Sequence, residues 1–122
     1  MRINHTLERL RRGETVLGCM LQTYRSPEIP RTFAAAGFDY VFIDMEHSGY
    51  DLETVQDMCQ ASLASGITPI VRVCELHYSL FARLLDCGAQ GIMMPRVDDP
   101  ELIQYLRRQQ LAKLAGRETI WK

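Results

Sequence analysis

The sequence predicts an α/β fold, specifically the N-terminal half of a (β/α)8 TIM barrel made of a short lead-in helix and four parallel β/α units. Apolar, β-branched segments alternate with amphipathic segments at a spacing of about 25 residues, which favours a parallel sheet with right-handed crossovers. An open doubly wound sheet would share this pattern, but no G-x-G-x-x-G or P-loop follows any strand. A whole barrel takes around 250 residues, and this chain has 122.

Composition narrows the class of protein. The chain is 47% hydrophobic and 24% charged with a net charge of −1, so it has no basic excess that would indicate a nucleic-acid partner. Its apolar runs are shorter than the roughly 18 residues of a membrane span, and the first residues show no signal-peptide pattern. We therefore expect a cytoplasmic location, with reduced thiols because no C-x-x-C pair occurs. The cysteines are Cys19, Cys59, Cys74 and Cys87.

The first elements follow from local signals. Residues 7–12 predict the amphipathic lead-in helix, and residues 15–21 predict the first strand. Ser26, Pro27 and Glu28 then begin a helix with a hydroxyl N-cap, a proline at the first helical position and an acid in the first turn. Residues 40–43 predict the second strand, and their unbroken apolar run indicates burial on both faces.

The later elements repeat the pattern. A second helix is predicted from near Asp51, with Leu52, Val55, Cys59 and Leu63 as its apolar stripe. Residues 69–73 and 91–95 predict the third and fourth strands. The helix between them is predicted to bury Leu76, Leu80, Phe81, Leu84 and Leu85. A last helix is predicted to begin at Asp99, Pro100 and Glu101 and to continue through Leu102, Ile103 and Leu106.

Polar side chains stand where the predicted strands end. Because the carboxyl ends of parallel barrel strands open on one face, we expect these groups to converge. They are Gln22 after the first strand, Asp44, Glu46 and His47 after the second, Arg72 near the end of the third, and Arg96 after the fourth. Arg72 interrupts a β-branched run, where a guanidinium is costly unless a carboxylate or an anionic ligand pairs with it. Asp44 could fix the tautomer of His47 and raise its basicity.

Simpler interpretations of these residues stay open at this point. His47 could be an ordinary hydrogen-bonded loop residue. Arg72 and Asp44 could form a structural ion pair inside the barrel, and Glu46 could be a solvated side chain.

Three segments resemble one family. Residues 37–47 carry F-D-x-x-x-x-D-x-E-H, residues 69–73 carry P-I-V-R-V, and residues 84–95 carry G-A-Q-G-I-M-x-P. Their order and spacing are similar to those of the HpcH/HpaI aldolases, which include 4-hydroxy-2-oxoheptanedioate and 2-keto-3-deoxy-rhamnonate aldolases, with the citrate lyase β subunit as a distant relative. The resemblance covers roughly residues 4–106.

The resemblance implies a class II, metal-dependent aldolase that reversibly cleaves a 4-hydroxy-2-oxo acid to pyruvate and an aldehyde. His47 would carry out acid/base chemistry, oriented by Asp44, and Arg72 would hold the 2-oxo acid and stabilise the enolate. Gln22 and Glu46 would contribute to substrate binding. The implied cofactor is a divalent metal (Mg²⁺, Mn²⁺ or Co²⁺). The implied partners are pyruvate and an aldehyde in a homo-oligomer, with no nucleic acid and no membrane.

The chain departs from the family pattern towards its end. The family's two metal-binding carboxylates lie on later strands, beyond residue 122. Residues 107–122 carry five basic side chains against one acid and no longer resemble the family. We therefore divide the chain into a partial barrel, 1–106, and a divergent basic tail, 107–122, left by a truncation or frameshift. The alternative to an aldolase is a non-catalytic remnant or interaction module that needs another chain to complete the barrel.

Overall fold

The computed structural model describes residues 3–95 together with 100, 101, 104, 105, 107 and 108. In this part of the chain helices and strands alternate in the predicted order. They are α1 (His5–Arg11), β1 (Gly18–Leu21), α2 (Glu28–Ala35), β2 (Tyr40–Asp44), α3 (Leu52–Ala64), β3 (Thr68–Arg72), α4 (Tyr78–Cys87) and β4 (Gly91–Met93). The strands form one sheet in the order β1-β2-β3-β4, and every neighbouring pair is parallel. The predicted parallel α/β architecture is confirmed. Arg96, four of the six residues named for the predicted last helix (Asp99, Leu102, Ile103 and Leu106) and residues 109–122 of the predicted tail lie outside the described residues.

The helices begin and end where local chemistry places them. The Oδ1 atom of Asp51 accepts a hydrogen bond from the backbone N–H of Thr54 at 2.8 Å and caps α3. Ser26 Oγ accepts from the N–H of Glu28 at 3.2 Å, at the first residue of α2. Gly88 ends α4 with φ +112°, and a β-carbon there would lie 2.7 Å from Leu63 Cδ1. The predicted signals therefore act as expected at α3 and α4, whereas α2 begins at Glu28, one residue after the predicted first helical residue Pro27.

The strand β1 is shorter than predicted because its first residues have other partners. The carbonyl of Thr15 accepts from Arg9 Nη2 at 2.9 Å, and the N–H of Leu17 donates to Asp39 Oδ2 at 2.8 Å. These side chains take the place of a neighbouring strand, so the strand begins only at Gly18. At the other end of the sheet, β4 stops at Met93, two residues before the predicted limit.

The helices cover one face of the sheet, and we call the opposite side the inner face. On the helix side Leu21, Val41, Ile43 and Val71 are at most 2% exposed. On the inner face Met20 is 51% and Met93 46% exposed, while Tyr40, Phe42 and Ile70 are half-buried. The prediction that the second strand is buried on both faces is therefore wrong, because the helices of the described residues pack on only one side of the sheet.

The lead-in helix α1 packs against the N-terminal ends of the strands. Thr6 Oγ1 donates to the carbonyl of Asp39 at 2.9 Å and lies 2.8 Å from Thr68 Oγ1. Asn4 Nδ2 donates to the carbonyl of Gln90 at 3.3 Å. These contacts leave the C-terminal ends of the strands open. Among the residues described, no helix combines the length and the apolar character needed to cross a membrane.

Candidate functional site

Asp44 and Arg72 are the last residues of β2 and β3, and they face each other in the register of the sheet. Arg72 Nε donates to Asp44 Oδ1 at 2.8 Å, and Arg72 Nη2 donates to Asp44 Oδ2 at 2.6 Å. Asp44 is fully buried, and the side chain of Arg72 is 19% exposed. Two parallel bonds of this kind form the strong, orientation-specific type of ion pair. Arg72, which interrupts a β-branched strand, is therefore paired with a carboxylate, that of Asp44.

Asp44 accepts several further hydrogen bonds. Gln22 Nε2 donates to Oδ2 at 2.6 Å, and the backbone N–H groups of Glu46 and His47 donate to Oδ1 at 3.0 and 3.3 Å. The bonds from Arg72 hold the pKa of Asp44 well below its usual range, and those from Gln22 and the backbone add to the effect. Asp44 therefore stays ionised and is a weak proton acceptor. Its geometry suits it to holding Arg72 and the loop that follows β2.

The expected contact between Asp44 and the imidazole of His47 is wrong. Asp44 bonds the backbone of His47, and the imidazole Nε2 lies 3.5 Å from Glu46 Oε2 instead. The physical reason is that Arg72, Gln22 and two backbone amides already surround the Asp44 carboxylate. The side chain of His47 is 54% exposed, so it points out of the buried cluster. Glu46 is the carboxylate beside this imidazole.

Glu46 lies between the two groups that the sequence singled out. Its Oε2 atom is 3.4 Å from Arg72 Nη1 and 3.5 Å from His47 Nε2, and its side chain is only 12% exposed. The interpretation of Glu46 as a solvated side chain is therefore wrong. The strand ends bring together Gln22, Asp44, Glu46, His47 and Arg72, as expected, whereas Arg96 lies outside the described residues.

Arg72 retains hydrogen-bonding capacity after pairing with Asp44. A guanidinium has five N–H groups, and the two bonds to Asp44 leave those of Nη1 directed elsewhere. The Arg72 guanidinium also stacks near the ring of Phe42, 5.7 Å from the ring centre on the inner face. The bonds to Asp44 raise the pKa of Arg72. Its positive charge is therefore fixed in place and permanent.

Two loops at this end of the sheet are tied together by residues that sequence reasoning missed. The hydroxyl of Tyr50 donates to the carbonyl of Tyr24 at 2.7 Å, and Arg25 Nη2 donates to the carbonyl of Gly49 at 3.0 Å. Ser48 Oγ donates to the carbonyl of Asp44. The first two bonds join the β1–α2 loop to the loop that carries Glu46 and His47, and the third lies within the second of these loops. No sequence pattern predicts these three hydrogen bonds, because the acceptor in each is a backbone carbonyl, which every residue has.

A cleft of about 460 Å³ opens beside this cluster, within the range of small-molecule sites. Its lining contains an imidazole, two carboxylates and a thiol. The lining residues are Glu46, His47, Cys74, Glu75, Leu76 and Pro95. The imidazole and Glu46 thus line an open cleft, and Arg72 is not among its lining residues.

The described residues do not fit the implied divalent metal. They include no group of three or more histidine, cysteine, aspartate or glutamate side chains arranged to hold an ion. The Asp44 oxygens that could serve as ligands are engaged by Arg72 and Gln22. The chemistry that these residues support by themselves is anion binding and proton transfer.

Comparison with known proteins identifies the family of this chain. The family model of HpcH/HpaI aldolase/citrate lyase matches residues 20–113. The hydroxypyruvate/pyruvate aldolase of Roseobacter denitrificans is 35% identical over 106 residues, which are 87% of this chain and 41% of that protein. The 2-keto-3-deoxy-L-rhamnonate aldolase of Escherichia coli is 34% identical over 91 residues, 75% of this chain and 34% of that protein. The chain thus spans about two fifths or less of the length of these relatives.

A solved structure gives the same result for the fold. The crystal structure of an HpcH/HpaI aldolase from Desulfitobacterium hafniense superposes with a TM-score of 0.78 at 30% identity, covering 95% of this chain and 43% of that one. The four parallel β/α units correspond to part of that TIM-barrel-type fold, which confirms the predicted fold class. The chain belongs to the HpcH/HpaI aldolase/citrate lyase family.

Proposed function

We propose that this chain carries the proton-transfer and anion-binding half of an aldolase that reversibly cleaves a 4-hydroxy-2-oxo acid to pyruvate and an aldehyde. The observation that carries the proposal is the pair of Arg72 and Asp44 at neighbouring strand ends, with His47 and Glu46 on the same rim. Relatives named as pyruvate aldolases support the substrate class.

Arg72 is proposed to bind the 2-oxo acid. Cleavage next to a carbonyl leaves an enolate, and a fixed positive charge stabilises negative charge that develops in the transition state. Asp44 holds the guanidinium by two bonds, so little reorganisation is needed when the substrate arrives. The N–H groups of Nη1 would bond the substrate carboxylate or the enolate oxygen, displacing the 3.4 Å contact with Glu46.

His47 is proposed to transfer the proton. The imidazole removes the proton from the C4 hydroxyl, the C3–C4 bond breaks to release the aldehyde, and the electron pair forms the pyruvate enolate. Return of the proton to C3 gives pyruvate, which balances the reaction. An imidazole is suited to both steps because one ring nitrogen can accept a proton and later donate it. Its position in the cleft wall and its 54% exposure make it accessible to a substrate.

The proposal also covers the substrate contacts, the metal dependence and the location of the protein. Gln22 and Glu46 are proposed to contact the substrate because both adjoin the Arg72–Asp44 pair. Dependence on a divalent metal (Mg²⁺, Mn²⁺ or Co²⁺) rests on the family resemblance alone. A cytoplasmic location is proposed from the four free thiols, Cys19, Cys59, Cys74 and Cys87, which suit a reducing compartment.

A second candidate is an interaction module in which another chain completes the barrel. The inner face favours it, because Met20 and Met93 are about half exposed there on two different strands. Pairing or covering such a face would remove apolar surface from water. This candidate needs no catalysis.

Release of pyruvate from a 4-hydroxy-2-oxo acid, with Mg²⁺ or Mn²⁺ added, distinguishes the two candidates. Release that is lost in His47→Ala and kept in the matched control His5→Ala would support the aldolase proposal. His5 is exposed and belongs to α1, at the opposite end of the strands. If no pyruvate is released with any of the metals and the chain forms a defined oligomer, the interaction module is favoured.

A further inference from the structure

Glu46 lies between the cleft and Arg72. It lines the cleft of about 460 Å³, whereas Arg72 is not among the lining residues. The Glu46 Oε2 atom is 3.4 Å from Arg72 Nη1, and the side chain of Glu46 is 12% exposed. A small acid that enters the cleft therefore meets the carboxylate of Glu46 before it reaches the guanidinium.

The other atoms of the Arg72 guanidinium are already engaged. Nε and Nη2 donate to the two oxygens of Asp44 at 2.8 and 2.6 Å, and the centre of the Phe42 ring lies 5.7 Å from Arg72 Cζ. Breaking the bonds to Asp44 would leave a fully buried carboxylate without its counter-charge, which is costly. An external anion therefore binds most readily at Nη1, and this is the nitrogen that Glu46 contacts.

The carboxylate of Glu46 is shared between a guanidinium and an imidazole. Its Oε2 atom is 3.4 Å from Arg72 Nη1 and 3.5 Å from His47 Nε2. Both distances exceed the roughly 2.7–2.9 Å of a close charge-assisted hydrogen bond. A second carboxylate at Nη1 would repel that of Glu46. Because a largely buried carboxylate needs a hydrogen-bond donor, loss of the contact with Arg72 favours a closer contact with His47.

We propose that Glu46 is an internal counter-ion of Arg72, which a 2-oxo acid displaces onto the imidazole of His47. This inference rests on the proposed function, because it takes Arg72 as the site of the acid and His47 as the proton-transfer group. A bond to Glu46 keeps the imidazole proton on Nε2, so Nδ1 is the atom that accepts the proton of the substrate hydroxyl. Glu46 is thus a positioning residue that links binding of the acid to the state of the imidazole.

Isothermal titration of the full 122-residue chain with pyruvate tests the displacement. Glu46→Gln keeps the size of the side chain and removes its charge. It should lower the dissociation constant of pyruvate by about tenfold, because no anion then competes for Arg72. Glu75→Gln is the control, since it removes the same charge from an exposed residue on the wall of the same cleft. It should change the constant by less than about twofold, because water screens an exposed charge.

Nitrogen NMR of the histidine side chains tests where Glu46 moves. In the unaltered chain, saturation with pyruvate should shift the His47 signals towards the tautomer with the proton on Nε2. The signals of His5 should stay unchanged, because His5 belongs to α1 at the opposite end of the strands. Glu46→Ala should abolish the change at His47 and also tighten pyruvate binding. The response of the unaltered chain tests the displacement even where a variant at position 46 is unstable.

The outcomes separate this inference from the proposed function. Pyruvate that binds Glu46→Gln no more tightly than the unaltered chain, equal effects of Glu46→Gln and Glu75→Gln, or His47 signals that pyruvate does not move would overturn the displacement. Pyruvate that binds neither the unaltered chain nor the variants would overturn the anion site at Arg72, and both proposals with it. Binding as expected without release of pyruvate from any 4-hydroxy-2-oxo acid would support the displacement and contradict the aldolase activity alone.

Discussion

Arg72 and Asp44 meet at the ends of two neighbouring strands through two hydrogen bonds of 2.8 and 2.6 Å, with the carboxylate fully buried. Such a pair is costly to form, because both charges lose water. It is costly to break for the same reason, since the remaining charge has no partner. The pair therefore links the stability of the sheet to the geometry of the candidate site.

Replacement of Asp44 by asparagine should destabilise the chain. The variant retains the shape of the side chain but leaves the guanidinium of Arg72 without its buried counter-charge, and breaking a buried pair costs about 3–5 kcal/mol. Urea denaturation should show a loss of this size. Asp57→Asn is the matched control, because Asp57 is exposed on α3 and should change stability by less than about 0.5 kcal/mol. Equal losses in the two variants would contradict the role of the pair.

The same carboxylate predicts a pH dependence of stability. Asp44 has a pKa below its ordinary value of 3.8, mainly because of its bonds from Arg72. Its contribution to stability is therefore complete above about pH 4 and is lost as the pH falls towards the lowered value. The difference in unfolding free energy between the unaltered chain and Asp44→Asn should thus shrink as the pH drops below about 4. A difference that stays constant down to pH 2 would count against this assignment.

The elements of the fold were predictable because each has a local cause. Asp51 caps α3, and Gly88 ends α4 with a positive φ that other residues rarely adopt. Hydrophobic periodicity located the four strands, and their alternation with helices specified a parallel sheet. The late beginning of β1 at Gly18 was not predictable. It depends on the hydrogen bonds of Arg9 with the carbonyl of Thr15 and of Asp39 with the N–H of Leu17, and these bonds form only when the chain has folded.

The members of the candidate site and the ion pair of Arg72 with Asp44 were predictable, but the partner of His47 was not. Strand ends placed Asp44, His47 and Arg72 on one rim, whereas the partner of each side chain depends on register and loop path. The register puts Asp44 opposite Arg72, so the imidazole of His47 lies beside Glu46. The hydrogen bond from the Tyr50 hydroxyl to the carbonyl of Tyr24 could not be predicted either, because every residue has a backbone carbonyl.

Tyr50→Phe should loosen the loop that carries Glu46 and His47. The variant keeps the buried ring but removes the hydroxyl that donates to the carbonyl of Tyr24 at 2.7 Å. We expect a stability loss of about 1 kcal/mol and faster amide exchange in residues 45–50. Tyr24→Phe is the control. It also removes a tyrosine hydroxyl, but from a side chain that is 65% exposed, and it keeps the backbone carbonyl that accepts the bond from Tyr50. Exchange that is unchanged in Tyr50→Phe would show that the bond does not hold the loop.

Gly18→Ala should destabilise the sheet through the ring of Tyr40. Gly18 and Tyr40 are register partners on β1 and β2, and a β-carbon at position 18 would lie 2.1 Å from Tyr40 Cζ. The ring must move away from the inner face of β1, and overpacking of this kind costs about 1–3 kcal/mol. A double-mutant cycle isolates the clash, because Gly18→Ala should cost much less when Tyr40 is already leucine. An equal cost of Gly18→Ala in both backgrounds would assign the loss to the backbone of β1 instead of the ring.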